Sequence, residues 1–143
     1  MADTISSKGR GSRVPLSVLV LTQGSSATDD ILRECEERTD LWTVRVASVT
    51  ASVAALQALS VALVLVGPEI LSHEISALVA ELNHLRNKTP VLLLRKDAME
   101  IPASWRSQRV AVLRCPLVPG LLNRAVDLAL QPTRGTRDRA HMN

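Results

Sequence analysis

Val61-Ala62-Leu63-Val64-Leu65-Val66-Gly67-Pro68 decides how this chain is read. Six consecutive apolar residues, nearly all Val or Leu, stop abruptly at Gly-Pro. A run this short, without polar alternation, fits a strand buried on both faces. Such strands lie in the middle of parallel sheets, with helices on each side. Gly67-Pro68 ends the strand and turns the chain outward at its carboxyl end, where open α/β sheets build their sites. Function therefore turns on what stands at Gly67 and beside it.

Working outward, Leu16–Leu21 reads as strand 1 and Thr22–Ser26 as a loop. Ser26 fits a helix N-cap, with Asp29 and Asp30 in the first turn of a helix running to about Arg38. Ile31, Leu32 and Cys35 share its buried face. Trp42–Ala47 alternates and is assigned to a half-exposed edge strand. Thr50–Leu59 is a short Ala-rich helix. Beyond Pro68, Ser72 is the expected cap of a helix ending near Asn87, with Ile75, Leu78, Val79, Leu82 and Leu85 as its apolar stripe. Thr89-Pro90 opens strand 4, Val91–Leu94. The segment from Arg95 to Arg109 contains Pro102 and lacks helical periodicity, so a short or broken helix 4 is expected. Val110–Leu113 is strand 5, closed by Cys115-Pro116. Pro119 opens the last helix, with Leu122, Val126 and Ala129 on one face, and Pro132 ends it. Right-handed crossovers arrange these elements as an α/β fold of three layers: a doubly wound, parallel five-stranded sheet of order 2-1-3-4-5, flavodoxin-like in topology.

The 143 residues suit one domain, and 46% of them are hydrophobic. Phe and Tyr are absent, leaving Trp42 and Trp105 as the aromatics, so the core is aliphatic. Stacking surface for a flavin or single-stranded bases is nearly missing. Cys35 and Cys115 match neither a metal spacing nor a disulfide framework, which fits a reducing cytoplasm. The first residues lack the apolar core of a signal peptide, and no run approaches the ~20 apolar residues that span a bilayer. A cytoplasmic protein with no membrane partner is expected. The formal charge of +3 is concentrated at the ends: residues 1–15 and 131–143 each carry +2, leaving −1 for the rest. These tails are expected to be disordered and to flank a domain over residues 16–130. Specific nucleic-acid binding by the domain itself is not indicated.

Three stretches carry a resemblance: Ala62-Leu63-Val64-Leu65-Val66-Gly67, Thr89-Pro90-Val91-Leu92-Leu93-Leu94 and Val112-Leu113-Arg114-Cys115-Pro116-Leu117. Together they resemble the receiver domain of bacterial response regulators. The resemblance implies an acidic pair after strand 1 to hold Mg²⁺ and an Asp after strand 3 to accept a phosphoryl group. It also implies a Ser or Thr after strand 4 and a Lys after strand 5. The matching positions hold Thr22, Gln23, Gly67, Arg95 and Cys115, so the chain resembles a degenerate pseudo-receiver with no metal, no cofactor and no phosphoryl chemistry. Glu69 lies two residues past the acceptor position, and a lone Glu does not make a Mg²⁺ site.

That resemblance implies a non-enzymatic regulatory or adaptor protein, independent of phosphorylation, acting on a protein partner in signalling or transcriptional control. Homodimer formation stays open. Trp105, flanked by Arg106 and Arg109, is the expected interface anchor, with a core role as the rival. A second class of function is a small-ligand or anion sensor, using the loops at the carboxyl ends of strands 1, 3 and 4, with Arg95 and Lys96 as anion ligands. The loop from Thr22 to Thr28 reads either as a phosphate cradle or as a plain helix cap. Cys115 reads as an inert thiol or, in an enzyme, as a nucleophile. His73 and His84 stand eleven residues apart on one helix, too far to share a metal.

Overall fold

A computed structural model describes residues 15–24 and 26–131, without the side chains of Ser26 and Ala27. The two expected tails, apart from Pro15 and Gln131, lie outside the described residues, and the expected cap Ser26 stands as the first residue of its helix. The chain runs β1 (Leu16–Leu21), α1 (Ser26–Glu36), β2 (Leu41–Val46), α2 (Val49–Ala58), β3 (Val61–Val66), α3 (Ser72–His84), β4 (Val91–Arg95), β5 (Val110–Arg114) and α4 (Leu121–Leu130). The five strands form one parallel sheet of order β2-β1-β3-β4-β5, as expected.

Alternation along each strand divides the core between two faces. Leu19, Leu21, Val64, Val66, Val91 and Leu93 meet Leu56 of α2 and Ile75, Leu78, Val79 and Leu82 of α3. Val18, Val20, Leu63, Leu65, Leu92 and Leu94 meet Leu32 and Cys35 of α1 and Leu122 and Val126 of α4. Each fully buried Leu or Val contributes about 1.5–3 kcal/mol relative to exposure. No described helix is long and apolar enough to cross a membrane.

Helix boundaries follow local hydrogen bonding. Ser48 caps α2, its hydroxyl accepting from Ala51 N at 3.0 Å. Ser72 is not a cap: it is the first residue of α3, because Leu71 holds the cap position and the Glu74 carboxylate accepts from Leu71 N at 3.1 Å. α3 stops at His84, short of the expected Asn87, because Arg86 turns left-handed at φ 56°. Arg86 N then donates to Asn83 O at 3.1 Å and Asn87 N to Leu82 O at 2.9 Å. This double closure usually carries a glycine at the left-handed position. An L side chain there costs about 1–2 kcal/mol.

The expected short or broken fourth helix is a single 3₁₀ turn, Ala103–Trp105. Trp105 is the correction in this region. It is 5% exposed and belongs to the core on the α2–α3 face, the rival role to an interface anchor, with only its edge reaching a cleft lined by Val79, Asn83 and Pro102. A segment without periodicity still buries a residue when a tight turn aims that side chain inward. Arg106 and Arg109 beside it are exposed. Trp42, by contrast, stands 57% exposed on the edge strand β2.

Trp105→Ala should lower stability by about 3–5 kcal/mol, as large aromatic truncations in cores do. Trp42→Ala should cost about 0.5 kcal/mol or less. Urea unfolding of the two variants checks this ordering, and similar costs at both sites would contradict the burial assignment.

Candidate functional site

The loops at the carboxyl ends of β1 and β3 are held side by side by the sheet. Gly67 N donates to Leu21 O at 2.8 Å, and Thr22 N to Val46 O at 3.0 Å. Pro68 then directs the chain out, and a turn closes with Ile70 N on Gly67 O at 3.2 Å. The turn folds the Glu69 side chain back over Gly67.

Three donors from the β1–α1 segment meet that carboxylate. Thr22 Oγ1 donates to Oε2 at 2.6 Å, Gln23 N to the same oxygen at 2.6 Å, and Thr28 Oγ1 to Oε1 at 2.7 Å. Gly24 N donates to Thr22 Oγ1 at 3.1 Å, which orients the hydroxyl toward Glu69. Burial pushes the Glu69 carboxyl upward, but the bonds from Thr22, Thr28 and the Gln23 amide outweigh it. The group stays below its ordinary value of 4.5.

Gly67 is a glycine for room, not for backbone freedom. Its φ is not positive, yet a Cβ built there would lie 2.8 Å and 2.9 Å from the two Glu69 oxygens. The carboxylate of residue 69 thus occupies the space that a side chain at 67 would need. A Mg²⁺ ion is held through one or two free carboxylates, with waters completing its octahedron. Thr22 and Gln23 supply none, and both Glu69 oxygens already accept hydrogen bonds, so these residues do not fit the ion.

The other singled-out residues stand apart from this knot. Arg95, the last residue of β4, donates from Nη1 to Ile70 O at 2.6 Å and braces the turn after β3. Lys96 and Cys115 instead share a cleft of about 460 Å³ with Asp30, Ile31, Pro68, Pro116 and Leu117. Arg95 does not line it. The peptide between Cys115 and Pro116 is cis. Burial pushes the Cys115 thiol up, against the pull of Lys96, so it is not an activated nucleophile. Asp29 pairs with Arg45 at 2.7 Å and Asp30 with Arg33 at 3.1 Å, so neither joins the hydrogen bonds around Glu69. Arg106 and Arg109 lie at the opposite end of the sheet, where β5 begins.

Sequence reasoning named Glu69 and the loop from Thr22 to Thr28 but missed that they bind each other. The available signal was a glycine without a turn requirement, followed by one acidic residue facing two threonines across a loop.

The fold is similar to the receiver domain of a Francisella response regulator, at a TM-score of 0.65 and 17% identity over 80% of this chain and 96% of that domain. It is similar to the pseudo-receiver domain of the CikA protein, at a TM-score of 0.60 and 16% identity over 81% and 98% of the two chains. Lysine decarboxylase LdcF of Francisella novicida superposes at a TM-score of 0.63 and 11% identity, over 81% of this chain but only 17% of that enzyme. No family model and no curated protein matches the sequence. The structural matches establish a receiver-like fold.

Two outcomes are expected at this site. The Glu69 carboxyl is held below its ordinary value in the folded chain, so its contribution is present above pH 4.5 and is lost as pH falls through the folded value. Urea midpoints measured downward from pH 5 should fall less steeply in Glu69→Gln than in the parent chain. At neutral pH that substitution should cost about 1–2 kcal/mol. Gly67→Ala should be destabilising in the parent chain and close to neutral in a Glu69→Ala background. Additive effects in that double-mutant cycle would contradict the shared space.

Proposed function

We propose that this receiver-like domain is a non-enzymatic regulatory or adaptor module that acts by protein–protein contact without being phosphorylated. Its setting in this reading is the bacterial cytoplasm, in signalling or transcriptional control, with self-pairing as one form of the contact. The observation that carries the reading is the Glu69 carboxylate seated over Gly67 and bonded to Thr22, Gln23 N and Thr28. Phosphoryl transfer to a receiver-like site needs a carboxylate nucleophile and a cation beside it. Gly67 offers no nucleophile. The Glu69 oxygens are engaged, and the neighbouring hydroxyls are spent on them. A site tied by internal hydrogen bonds has one state to present, so its partner reads a fixed surface and not a switched one.

A second reading rests on the cleft that holds Lys96 and Cys115. Its walls of Ile31, Pro68, Pro116 and Leu117 are apolar, and Lys96 supplies one cation. That combination suits a small apolar molecule with an anionic head. A screen of small carboxylates and phosphates by melting shift separates the readings, since a ligand that binds the folded state raises the midpoint in proportion to its concentration over Kd.

For the leading reading, the intact protein is incubated with acetyl phosphate and Mg²⁺ and weighed by mass spectrometry. Its mass should not change, and the protein captured from a lysate of the native cell should be the same with and without treatment. A labile gain of one phosphoryl group, or capture that depends on the treatment, would overturn it.

A further inference from the structure

The folded segment is close to neutral in sum, but its cations are unevenly placed. Four of them, Arg86, Lys88, Arg106 and Arg109, come together at the amino end of the sheet under β4 and β5. Lys88 Nζ donates to Ser107 O at 3.0 Å, and Ser107 Oγ to Asn83 Oδ1 at 3.2 Å, which joins the α3–β4 loop to the loop before β5. Val91 N donates to Arg109 O at 2.7 Å, and Arg109 Nη2 to Ala129 O at 3.3 Å, which adds the last turn of α4. All four cations are exposed, and among the described residues none of them meets a carboxylate. Of the acids nearby, Asp40 and Asp127 are held by Arg38 at 2.7 Å and 2.8 Å, while Glu81 in the last turn of α3 is exposed.

One further feature stands at this end: Arg86 occupies a left-handed position at φ 56° that glycine would fill without strain. An arginine kept where the backbone disfavours it directs attention to its guanidinium.

We propose that this cationic end is a docking surface for the phosphate backbone of a nucleic-acid duplex, without sequence reading. Guanidinium forks, an ammonium and the Ser107 hydroxyl are the donors that phosphate oxygens take. The loops at 86–88 and 106–109 hold no exposed large apolar side chain; Leu128, 61% exposed in the last turn of α4, stands at their rim beside Ala129. Single strands need aromatic platforms, and Trp105 is buried beneath the cluster while Trp42 stands on the opposite edge strand. The guanidinium and ammonium donors favour backbone contact by a duplex. It stands independently of the Glu69 site, which lies at the other end of the strands.

The test is fluorescence anisotropy of the full chain with a short labelled duplex of mixed sequence, across a salt series. Binding should be measurable at low salt, indifferent to sequence, and should weaken with a log–log slope of about −0.9 for each phosphate neutralised. A full chain carrying Arg106→Glu and Arg109→Glu should bind about tenfold more weakly or worse, with unchanged circular dichroism. Arg86→Gly is the second variant: its urea midpoint should equal or exceed that of the parent, while its salt slope shrinks by about one. A residue kept for structure alone would not separate those two readouts. No binding at low salt, or binding that neither variant alters, would overturn the proposal. Tighter binding to phosphatidylserine vesicles or to polyglutamate than to the duplex would overturn it equally, by assigning the surface to another partner.

Discussion

Leu63, Val64, Leu65 and Val66 expose no surface on either side of the sheet, and most of the architecture follows from that constraint. A strand with apolar side chains on both faces has to be covered twice. Its backbone polar groups have to be met laterally, by β1 on one side and β4 on the other. Helices then stand on both faces, and every crossover returns the chain to the same starting end. The loops after β1, β3, β4 and β5 consequently share one pole, and Pro15 and Gln131, where the described residues end, share the other with the α3–β4 turn. The two candidate surfaces are separated by the length of the strands because β3 admits no other arrangement.

Much of the fold was legible because aliphatic runs report burial directly. The strand order followed from right-handed crossovers between alternating strands and helices, with the alternation of Trp42–Ala47 marking an edge and the unbroken apolar run of β3 marking the centre. Caps and ends were less legible, since they depend on single bonds. Ser72 looked like a cap, but the Glu74 carboxylate reaching Leu71 N moved the boundary. Nothing in the residue types around Arg86 announces a left-handed turn that usually belongs to glycine. Trp105 was misread for a related reason: periodicity detects helices and strands, and a 3₁₀ turn of three residues has no period to detect.

At the site, the absent groups were legible and the replacement was not. Thr22, Gln23, Gly67, Arg95 and Cys115 could be matched to positions by counting from strand ends. That Arg95 would brace Ile70 O, or that Cys115 would share its cleft with Lys96, depends on side-chain paths that spacing does not encode. Glu69 was set aside because a lone carboxylate cannot hold Mg²⁺. The structure gives it a different task, which is to satisfy three donors and fill a void.

The packing of Glu69 onto Gly67 also bears on how sequence change can move through this site. A single codon change that placed Asp at 67 would bring its Cβ within 3 Å of the Glu69 oxygens and displace them from Thr22, Gln23 and Thr28. The first step toward an acceptor would therefore break existing bonds before any new chemistry existed to be selected. Removing Glu69 first would open the void and leave the three donors to water. Either order passes through a less stable intermediate. What a substitution does at either of these two positions therefore depends on the residue that stands at the other.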